Sequence, residues 1–165
     1  MDRLTLDVVE YAYAKQAFLG GYTHANARYS KKLLSDVHSI DFTSSYPTVM
    51  VSEKYPMSKG SFIKLNMSSY DEFDAYLKQS ERVAVVMVEL WDIETKSNIP
   101  DDYISCSRLY KKGEQIMNNN GRVHKADYVE LIVTSVDLAQ IVSCYNYTKI
   151  NIIDGYFYYT DYLPK

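Results

Sequence analysis

The residues of this sequence whose types and spacing indicate chemistry lie in one short run, Asp-Phe-Thr-Ser-Ser-Tyr-Pro, which begins at Asp41. The apolar, β-prone residues 38–42 predict a strand. The polar residues 43–45 predict a turn into a helix that Ser44 or Ser45 can cap and that has a proline in its first turn. This arrangement would place the Asp41 carboxylate at a strand end, beside the N–H groups of a helix N-terminus. Such a position suits a metal or phosphate site, but a lone aspartate there also serves as an ordinary turn or cap residue.

The composition indicates a soluble globular chain with one core and no general affinity for nucleic acid. The 165 residues are 47% hydrophobic and 24% charged, which is enough to bury one core and a smaller appendage. The formal net charge of -3 gives no overall basic field, so any contact with DNA must be local. Cys106 and Cys144 have no metal-ligand spacing and are too few for a disulfide scaffold, which favours a reducing cytoplasm. No apolar run is long enough to span a membrane.

Hydrophobic patterning predicts a compact α+β unit from Tyr55 onward, with a mostly antiparallel sheet. Before it, apolar residues between Leu4 and Leu19 recur at near-helical spacing, which predicts an amphipathic helix ending at Gly20-Gly21. The β-branched and aromatic run from Arg82 to Ile93 predicts the central strand of the sheet. The other predicted elements are helices at 70–79 and 136–144, with Ser68 or Ser69 and Ser135 as their caps, strands at 61–65, 103–109, 128–134 and 147–153, and turns at 118–121 and 154–155.

The pattern Asp-x-x-Ser-x-Tyr-Pro that begins at Asp41 resembles motif A of family B DNA polymerases. The resemblance implies that Asp41 ligates two catalytic magnesium ions, that the Phe42 backbone carbonyl also contacts one of them, and that Tyr46 stacks under the sugar of the incoming nucleotide. Ser44 and Ser45 would complete the nucleotide-binding turn, with Ser45 standing where the family usually has leucine. Two magnesium ions held by carboxylates would supply most of the charge stabilisation that phosphoryl transfer requires.

A second motif, Phe-Leu-Gly-Gly-Tyr-Thr, begins at Phe18. By its pattern alone this stretch is a helix end with a glycine cap, followed by solvated cations. It also resembles the Tyr-x-Gly-Gly motif that precedes motif A in family B polymerases, with Phe18 in place of the tyrosine. The resemblance implies that Phe18, Gly20, Gly21 and Thr23 contact DNA. Arg28 is the best candidate for a phosphate contact, because a guanidinium suits that geometry.

The region after motif A resembles an insertion that is specific to protein-primed family B DNA polymerases of the phi-twenty-nine phage type. The residues that carry this resemblance are Ile99-Pro100, Ser107 to Lys111 and Ser135-Val136-Asp137-Leu138. The resemblance implies a link to an exonuclease domain and the first part of the polymerase palm at 1–54. An insertion that docks a terminal (priming) protein would follow at 55–165. Arg108, Lys111 and Lys112 are the predicted docking cations, although by pattern alone they are a solubilising strand edge.

Two further motifs of the family do not occur in these 165 residues: a second aspartate in a Tyr-x-Asp-Thr-Asp run, and a lysine-bearing helix that grips the triphosphate. The chain is therefore predicted to be a middle segment of a DNA-directed DNA polymerase, inactive alone and able to bind magnesium only weakly through Asp41. Its predicted partners are template and primer DNA, the terminal protein, the incoming dNTP and the rest of the polymerase chain. The predicted location is the cytoplasm of a bacterial host. No membrane is among the predicted partners.

Two other functions stay open from the sequence. The first is a stand-alone module that binds a terminal protein or DNA ends without chemistry, and the coding sequence downstream would distinguish it from a polymerase segment. The second is an unrelated α+β binding domain with a chance match to motif A. His24, His38 and His124 have no zinc-ligand spacing, and no nucleophile motif accompanies them, so they are interpreted as ordinary surface or core groups.

Overall fold

Most of this chain forms one antiparallel sheet. The computed structural model describes residues 5–20, 29, 31–99 and 102–164. The helices among these residues are α1 Val8–Ala17, α2 Ser45–Ser52, α3 Tyr70–Ser80 and α4 Ser135–Cys144, with a short 3-10 helix at Cys106–Arg108. The strands are β1 Lys54–Pro56, β2 Ser61–Met67, β3 Arg82–Thr95, β4 Leu109–Lys112, β5 Ile116–Asn119, β6 Arg122–Thr134, β7 Tyr145–Asn146 and β8 Lys149–Tyr162.

Strand β3 lies at the centre of the sheet, as its sequence predicts. The strand order is β1-β8-β3-β6-β4, with β2 paired to β8, β5 to β6 and β7 to β3. Every pairing between the described strands is antiparallel. The even-numbered residues of β3 from Ala84 to Leu90 are buried and the odd-numbered ones are half-buried, so a run rich in β-branched residues packs on both faces. The α+β class and the mostly antiparallel sheet are confirmed.

The core joins the sheet to helices α3 and α4. Val86 and Leu90 of β3, Phe73 of α3 and Leu138 of α4 are fully buried in one cluster. The Phe73 ring meets the Phe157 ring of β8 edge-on, with the ring centroids 6.4 Å apart. Burying each side chain of this size stabilises the fold by about 1.5–3 kcal/mol. This cluster is therefore the main source of stability in the chain.

Local signals determine α3 and the hairpin of β5 and β6. The Ser69 side chain caps α3 by accepting the Glu72 N–H at 3.4 Å. Asn120 and Gly121 have φ angles of 49° and 81° and form the loop between the two strands. An Asn-Gly pair favours this left-handed backbone, which matches the twist of a hairpin. The sequence-based predictions of both features are confirmed.

Helix α1 packs on the sheet, where it contacts β3, β6 and β8. The predicted helix forms, but its predicted apolar buried face is wrong, because its buried residues are Glu10 and Ala17. One Glu10 carboxylate oxygen accepts the Gly60 N–H at 3.0 Å, and the Tyr13 hydroxyl donates to the Asp154 carboxylate at 2.6 Å. Hydrogen bonds to distant residues thus decide which side of α1 faces the sheet. The helix ends at Ala17, ahead of the predicted glycine pair.

The predicted strand at 38–42 does not form. Residues 31–44 contain neither helix nor strand, and each of them is exposed. A strand is stabilised by a neighbour that completes its ladder of hydrogen bonds. None of the described strands pairs with this segment, so its β-prone composition alone does not produce a strand.

The predicted strand at 103–109 is mostly a turn. The N–H groups of Tyr103 and Ile104 donate to the Tyr145 hydroxyl oxygen at 3.0 and 3.1 Å. The same hydroxyl donates to the Val123 carbonyl at 2.6 Å. These bonds satisfy backbone groups that a strand would have paired. The chain then turns through the 3-10 helix, and only residues 109–112 join the sheet as β4.

The predicted cap of α4 is wrong by one residue. Thr134, rather than Ser135, caps the helix, because its hydroxyl oxygen accepts the Asp137 N–H at 3.1 Å. The Ser135 hydroxyl oxygen instead accepts the Ala84 N–H of β3 at 3.3 Å. Both residue types can cap a helix. Packing of α4 against β3 therefore decided which of the two does so.

Strand β8 runs unbroken through residues 154 and 155, where the sequence predicts a turn. A Cβ atom on Gly155 would lie 2.4 Å from the Val85 carbonyl oxygen of β3. The pairing of β3 with β8 also shifts register between Met87 and Val88. Glycine at this position therefore permits a close approach of two strands beside an irregularity, which is a common role of glycine within a sheet.

Candidate functional site

The run that begins at Asp41 leads through a turn into helix α2. Ser44 is the N-cap residue, with a left-handed backbone (φ 56°, ψ 36°) and no hydrogen bond from its side chain to the helix. The Thr48 N–H donates to the Ser44 carbonyl at 3.0 Å, which begins the helix. The predicted turn and helix are confirmed, and the helix ends at Ser52 with Glu53 as its C-cap. Asp41 lies in the irregular segment just before this turn.

Every residue from 31 to 53 is exposed, including the large apolar ones. The relative exposure is 85% for Ile40, 80% for Phe42 and 81% for Tyr46. Helix α2 buries none of its residues. Since contiguous exposed apolar surface marks an interaction site, this segment is suited to contact another structure.

Asp41 is the predicted metal ligand of this segment. A carboxylate and a backbone carbonyl are oxygen donors of the kind that magnesium prefers. Within residues 5–20, 29, 31–99 and 102–164, no group of three or more His, Cys, Asp or Glu side chains is placed to hold a metal ion. A magnesium site that includes Asp41 and the Phe42 carbonyl therefore stays a prediction, and the described residues do not complete one.

A cavity of ≈ 490 Å³ lies where the end of α1 meets the turn at 105–108. Phe18 and Gly20, which are predicted to contact DNA, line it together with Arg108, which is predicted to dock the terminal protein. The structure thus brings together residues of two motifs that are far apart in the sequence. Tyr103 and Arg122 also line the cavity, and sequence reasoning missed both. The hairpin turn before Arg122 indicates where β6 begins, but it carries no signal of what that strand faces.

Hydrogen bonds hold the walls of this cavity in place. Ser105 pairs with Arg122 in an isolated β-bridge, and one Arg122 nitrogen, Nη1, donates to the Tyr103 carbonyl at 2.6 Å. On the α1 side, the Gln16 side chain donates to the Arg108 carbonyl at 3.4 Å. The two arginines are therefore presented by backbone segments that are tied to β6 and to α1.

Asp137 is the carboxylate on the wall of the cavity. It accepts hydrogen bonds from the Tyr103 hydroxyl at 2.8 Å and from the Thr134 hydroxyl at 2.6 Å. Burial, followed by the hydrogen bond to Asp137, raises the pKa of Tyr103 well above its ordinary value. The phenol therefore remains protonated at neutral pH and keeps donating to the carboxylate.

Two predicted DNA contacts of the motif that begins at Phe18, Gly21 and Thr23, lie outside the described residues, as does the separate phosphate-contact candidate Arg28. The Phe18 side chain is 67% exposed. A Cβ atom placed on Gly20 would meet nothing within 4 Å. The described part of the motif thus presents an exposed aromatic residue and an unobstructed backbone among the residues that line the cavity.

Of the three predicted docking cations, only Arg108 lines the cavity. Lys111 and Lys112 lie on β4 and are not among the residues that line the cavity with Arg108. The Lys111 ammonium lies 2.8 Å from a Glu130 carboxylate oxygen, on a side chain that is only 3% exposed. The hydrogen bond and charge of Glu130 raise the pKa of Lys111. Lys112 is exposed at the end of the strand.

Residues 3–163 match the family described as DNA polymerase type B, organellar and viral. The chain therefore belongs to this family, and the sequence-based identification of a family B polymerase segment is confirmed. The DNA polymerase of Bacillus phage B103 is 25% identical over 146 residues, which cover 86% of this chain and 23% of the phage protein. The DNA polymerase of Bacillus phage Nf is 24% identical over 146 residues, with the same shares. The chain thus spans about a quarter of the length of these relatives.

Solved structures confirm the fold. Phi29 DNA polymerase complexed with primer-template DNA matches with a TM-score of 0.65 and 18% identity, over 96% of this chain and 25% of that one. Its ternary complex with primer-template DNA and incoming nucleotide substrates matches with a TM-score of 0.63 and 22% identity, over 96% and 26%. No helix in the described part of this chain is long and apolar enough to cross a membrane.

Proposed function

We propose that this chain provides motif A and the terminal-protein insertion of a DNA-directed DNA polymerase that begins replication on a protein primer. The observation that carries the proposal is the family match across residues 3–163, within which the run from Asp41 keeps the aspartate, serine, tyrosine and proline of motif A. The DNA polymerases of the Bacillus phages and Phi29 contain a similar segment within much longer chains.

In this proposal Asp41 is a metal ligand. Its carboxylate and the Phe42 carbonyl would hold magnesium together with carboxylates from elsewhere in the polymerase. Magnesium, when bound, supplies charge stabilisation to the phosphoryl group that is transferred. The exposure of Asp41 supports this role, because a ligand that shares its metal with another part of the protein must be accessible to it.

Tyr46 is proposed to stack under the sugar of the incoming dNTP, with Phe42, Ser44 and Ser45 in the nucleotide-binding turn. Tyr46 is the second residue of α2, and its side chain is 81% exposed. Tyr46 follows Asp41 closely in the sequence, and only the turn and the first helical residue separate them. One local unit would therefore position both the metal ligand and the sugar contact, which is how a rigid element improves the precision of a site.

The rest of the polymerase is the proposed partner of the exposed apolar surface around α2. Phe42 and Val51 are 80% and 79% exposed, and such side chains are suited to pack against other palm elements. We assign residues 1–54 to the link and the first part of the palm, and residues 55–165 to the insertion. The chain by itself is expected to be inactive, because one carboxylate does not complete a two-metal site.

Template and primer DNA and a terminal protein are the proposed macromolecular partners, in the cytoplasm of a bacterial host. Docking of the terminal protein is assigned to Arg108, Lys111 and Lys112. The Lys111 side chain is 64% exposed although it pairs with Glu130, and Lys112 is exposed beside it. These cations suit an acidic partner surface, with their largest effect on the rate of association.

The first test is primer extension by the polymerase that contains this chain. Asp41→Asn removes the metal-binding charge at nearly constant volume and should lower the rate by roughly three orders of magnitude. Asp36→Asn is the matched control, because Asp36 is exposed in the same segment and asparagine tolerates its left-handed backbone, with φ of 57°. Equal activity of the two variants would contradict the role of Asp41.

A second assay tests protein priming. The polymerase should transfer a labelled dNMP to its terminal protein when no DNA primer is present. Extension of a DNA primer without any such transfer would leave a polymerase and refute the protein-primed class. The 165-residue chain alone should give neither product, and primer extension by it would refute the assignment as an inactive segment.

A further inference from the structure

We propose that a set of side-chain contacts between α1 and the sheet positions the insertion relative to motif A, so that a terminal protein docked on the insertion reaches the site at Asp41. We call these contacts the clasp, and its residues are Glu10 and Tyr13 of α1 with Gly60, Asp154 and Tyr158. The proposal rests on the proposed polymerase function and extends it. It assigns a positioning role in protein priming to residues outside both the run at Asp41 and the docking cations.

Helix α1 turns a polar face toward the sheet. Glu10, Tyr13 and Ala17 are spaced three and four residues apart, so they share one side of the helix. Glu10 is 0% exposed and Ala17 is 3% exposed, whereas Val8, on the opposite side, is 85% exposed. An ordinary surface helix buries an apolar stripe instead. The docking of α1 therefore depends on directed polar contacts, which fix its position more narrowly than non-directional burial of apolar surface does.

Glu10 joins α1 to the segment between β1 and β2 and to β8. One of its carboxylate oxygens, Oε1, accepts the Gly60 N–H at 3.0 Å. A Cβ atom on Gly60 would lie 2.9 Å from Tyr158 Cε1 and even closer to Glu10 Oε1, so the three residues meet at one point. Burial, followed by the charge of Glu10, raises the pKa of Tyr158 well above its ordinary value. The phenol therefore stays protonated beside the carboxylate.

Tyr13 forms the reverse pairing. Its hydroxyl donates to the Asp154 carboxylate at 2.6 Å, so here α1 supplies the tyrosine and β8 supplies the acid. The centroid of the Tyr13 ring lies 6.4 Å from that of Phe62 and 5.4 Å from that of Tyr156, both in edge-on contact. A hydrogen bond to a charged group is stronger than one between neutral groups. Two such contacts, about one turn apart on α1, restrict both sliding and rotation of the helix on β8.

The clasp and the pairing of β1 with β8 attach the chain on both sides of motif A to the same sheet. Helix α1 precedes the run at Asp41, and β1 begins two residues after α2 ends. Residues 54–56 of β1 are paired with residues 160–162 of β8. Between these two attachments, residues 31–53 are exposed. The clasp thus limits where motif A can lie relative to the insertion.

Protein priming is the reaction that requires this placement. The terminal protein is proposed to dock on the insertion while its priming group reacts at the proposed metal site of Asp41, so both parts of the chain must be correctly placed at once. Extension of a DNA primer uses the same metal site without a docked terminal protein. A misplacement of reacting groups by about 1 Å lowers a rate by about a hundredfold. Loosening of the clasp should therefore impair priming more than extension.

The test compares the two reactions in the polymerase that contains this chain. Tyr13→Phe removes the hydroxyl that donates to Asp154 and keeps the aromatic ring. It should raise the KM for terminal protein in dNMP transfer by about tenfold, because loss of a hydrogen bond to a charged group lowers the population of the priming-competent arrangement. The kcat of DNA primer extension should stay within about twofold of the wild-type value. Tyr11→Phe, at a 57% exposed position of the same helix, is the matched control and should change neither reaction.

A second set of variants tests the contact at Glu10. Gly60→Ala places a methyl group against the Glu10 carboxylate, and Glu10→Ala removes that carboxylate. Each single change should raise the same KM by about tenfold. The double variant should be about as impaired as Glu10→Ala, because changes at one shared contact are not additive. In the 165-residue chain, Glu10→Ala should speed exchange of the Gly60 N–H with solvent by at least about tenfold, which reports the contact directly.

Three outcomes would overturn the clasp as a positioning device. These are equal losses of priming and extension in Tyr13→Phe, unchanged priming in both Tyr13→Phe and Glu10→Ala, and additive effects of Glu10→Ala and Gly60→Ala. Melting curves identify any variant that is unfolded, and the conservative Tyr13→Phe keeps the test decisive if Glu10→Ala is one of them. The proposed function fails separately. A wild-type polymerase that extends a DNA primer but transfers no dNMP to terminal protein would remove protein priming, and the role of the clasp in it, before any variant is made.

Discussion

The sheet and residues 31–53, which we call the motif A segment, differ in how each is stabilised. In the sheet, β3 lies between β6 and β8, and its residues Val86, Val88 and Leu90 are completely buried. In residues 31–53 every side chain is exposed, and α2 is held by its own backbone bonds. The region with the candidate metal ligand is therefore not the region that keeps the chain folded.

This difference shows that a strong sequence motif does not imply a self-sufficient structure. Helix α2 has 8 residues, fewer than the roughly 12–15 below which an isolated helix is marginal in water. Its apolar side chains have no core of their own among the described residues. The motif A segment is consequently expected to gain its stability from a surface other than this sheet, as the proposed palm assembly provides.

The largest expected effect is on the core. Leu90→Ala should lower the free energy of unfolding by about 2–5 kcal/mol, because it creates a cavity at a fully buried position. Ile40→Ala, in the motif A segment, should change it by less than about 0.5 kcal/mol, since Ile40 is 85% exposed. Urea unfolding followed by the fluorescence of Trp91, the single tryptophan, measures both. Similar losses in the two variants would break the comparison between the regions.

A smaller effect is expected at Tyr145, which is 1% exposed. Its hydroxyl bonds the backbone of Tyr103, Ile104 and Val123. Tyr145→Phe removes these hydrogen bonds from a buried position and should cost about 2–3 kcal/mol. Tyr46→Phe, at an exposed position of α2, should cost almost nothing, and urea unfolding of both variants provides the check.

The dependence of stability on alkaline pH tests the role of Tyr145 in a second way. Burial raises the pKa of Tyr145 from 10.0 to about 12. Because the folded chain holds this proton more tightly than the unfolded chain, the resulting stability is complete below pH 10 and is lost as the pH rises toward 12. The free energy of unfolding should therefore fall across this window, by up to about 3 kcal/mol from Tyr145. A fall that is equally steep in Tyr145→Phe would exclude Tyr145 as a cause.

The smallest effect is expected at Asp41. In the 165-residue chain, Asp41→Asn should change the free energy of unfolding by less than about 0.5 kcal/mol, because Asp41 is exposed. Magnesium should stabilise the wild-type chain by less than about 0.5 kcal/mol, as expected for an incomplete site. Thermal melts with and without magnesium measure this. A larger stabilisation that Asp41→Asn abolishes would show that the chain completes a metal site by itself.

The elements with strong local signals were predictable from the sequence. Ser69 begins α3, Asn120-Gly121 closes the hairpin of β5 and β6, and the β-branched run of β3 forms the central strand. Each depends on neighbours in the chain or on simple alternation. The segments at 38–42 and 103–109 were not predictable in this way, because a strand also needs a neighbouring strand to pair with. The N–H groups of residues 103–104 donate to the Tyr145 hydroxyl instead of to a strand.

The sequence by itself determined the family, through the run at Asp41 and the motifs around it, and the positions of most helices and strands. Only the tertiary structure decided that Glu10 would be buried against Gly60 and that Lys111 would pair with Glu130. It alone placed Arg108 and Phe18 in one cavity. The physical reason is that local propensity acts over a few residues, whereas charge pairs, hydrogen bonds and cavities depend on how distant strands and helices are brought together.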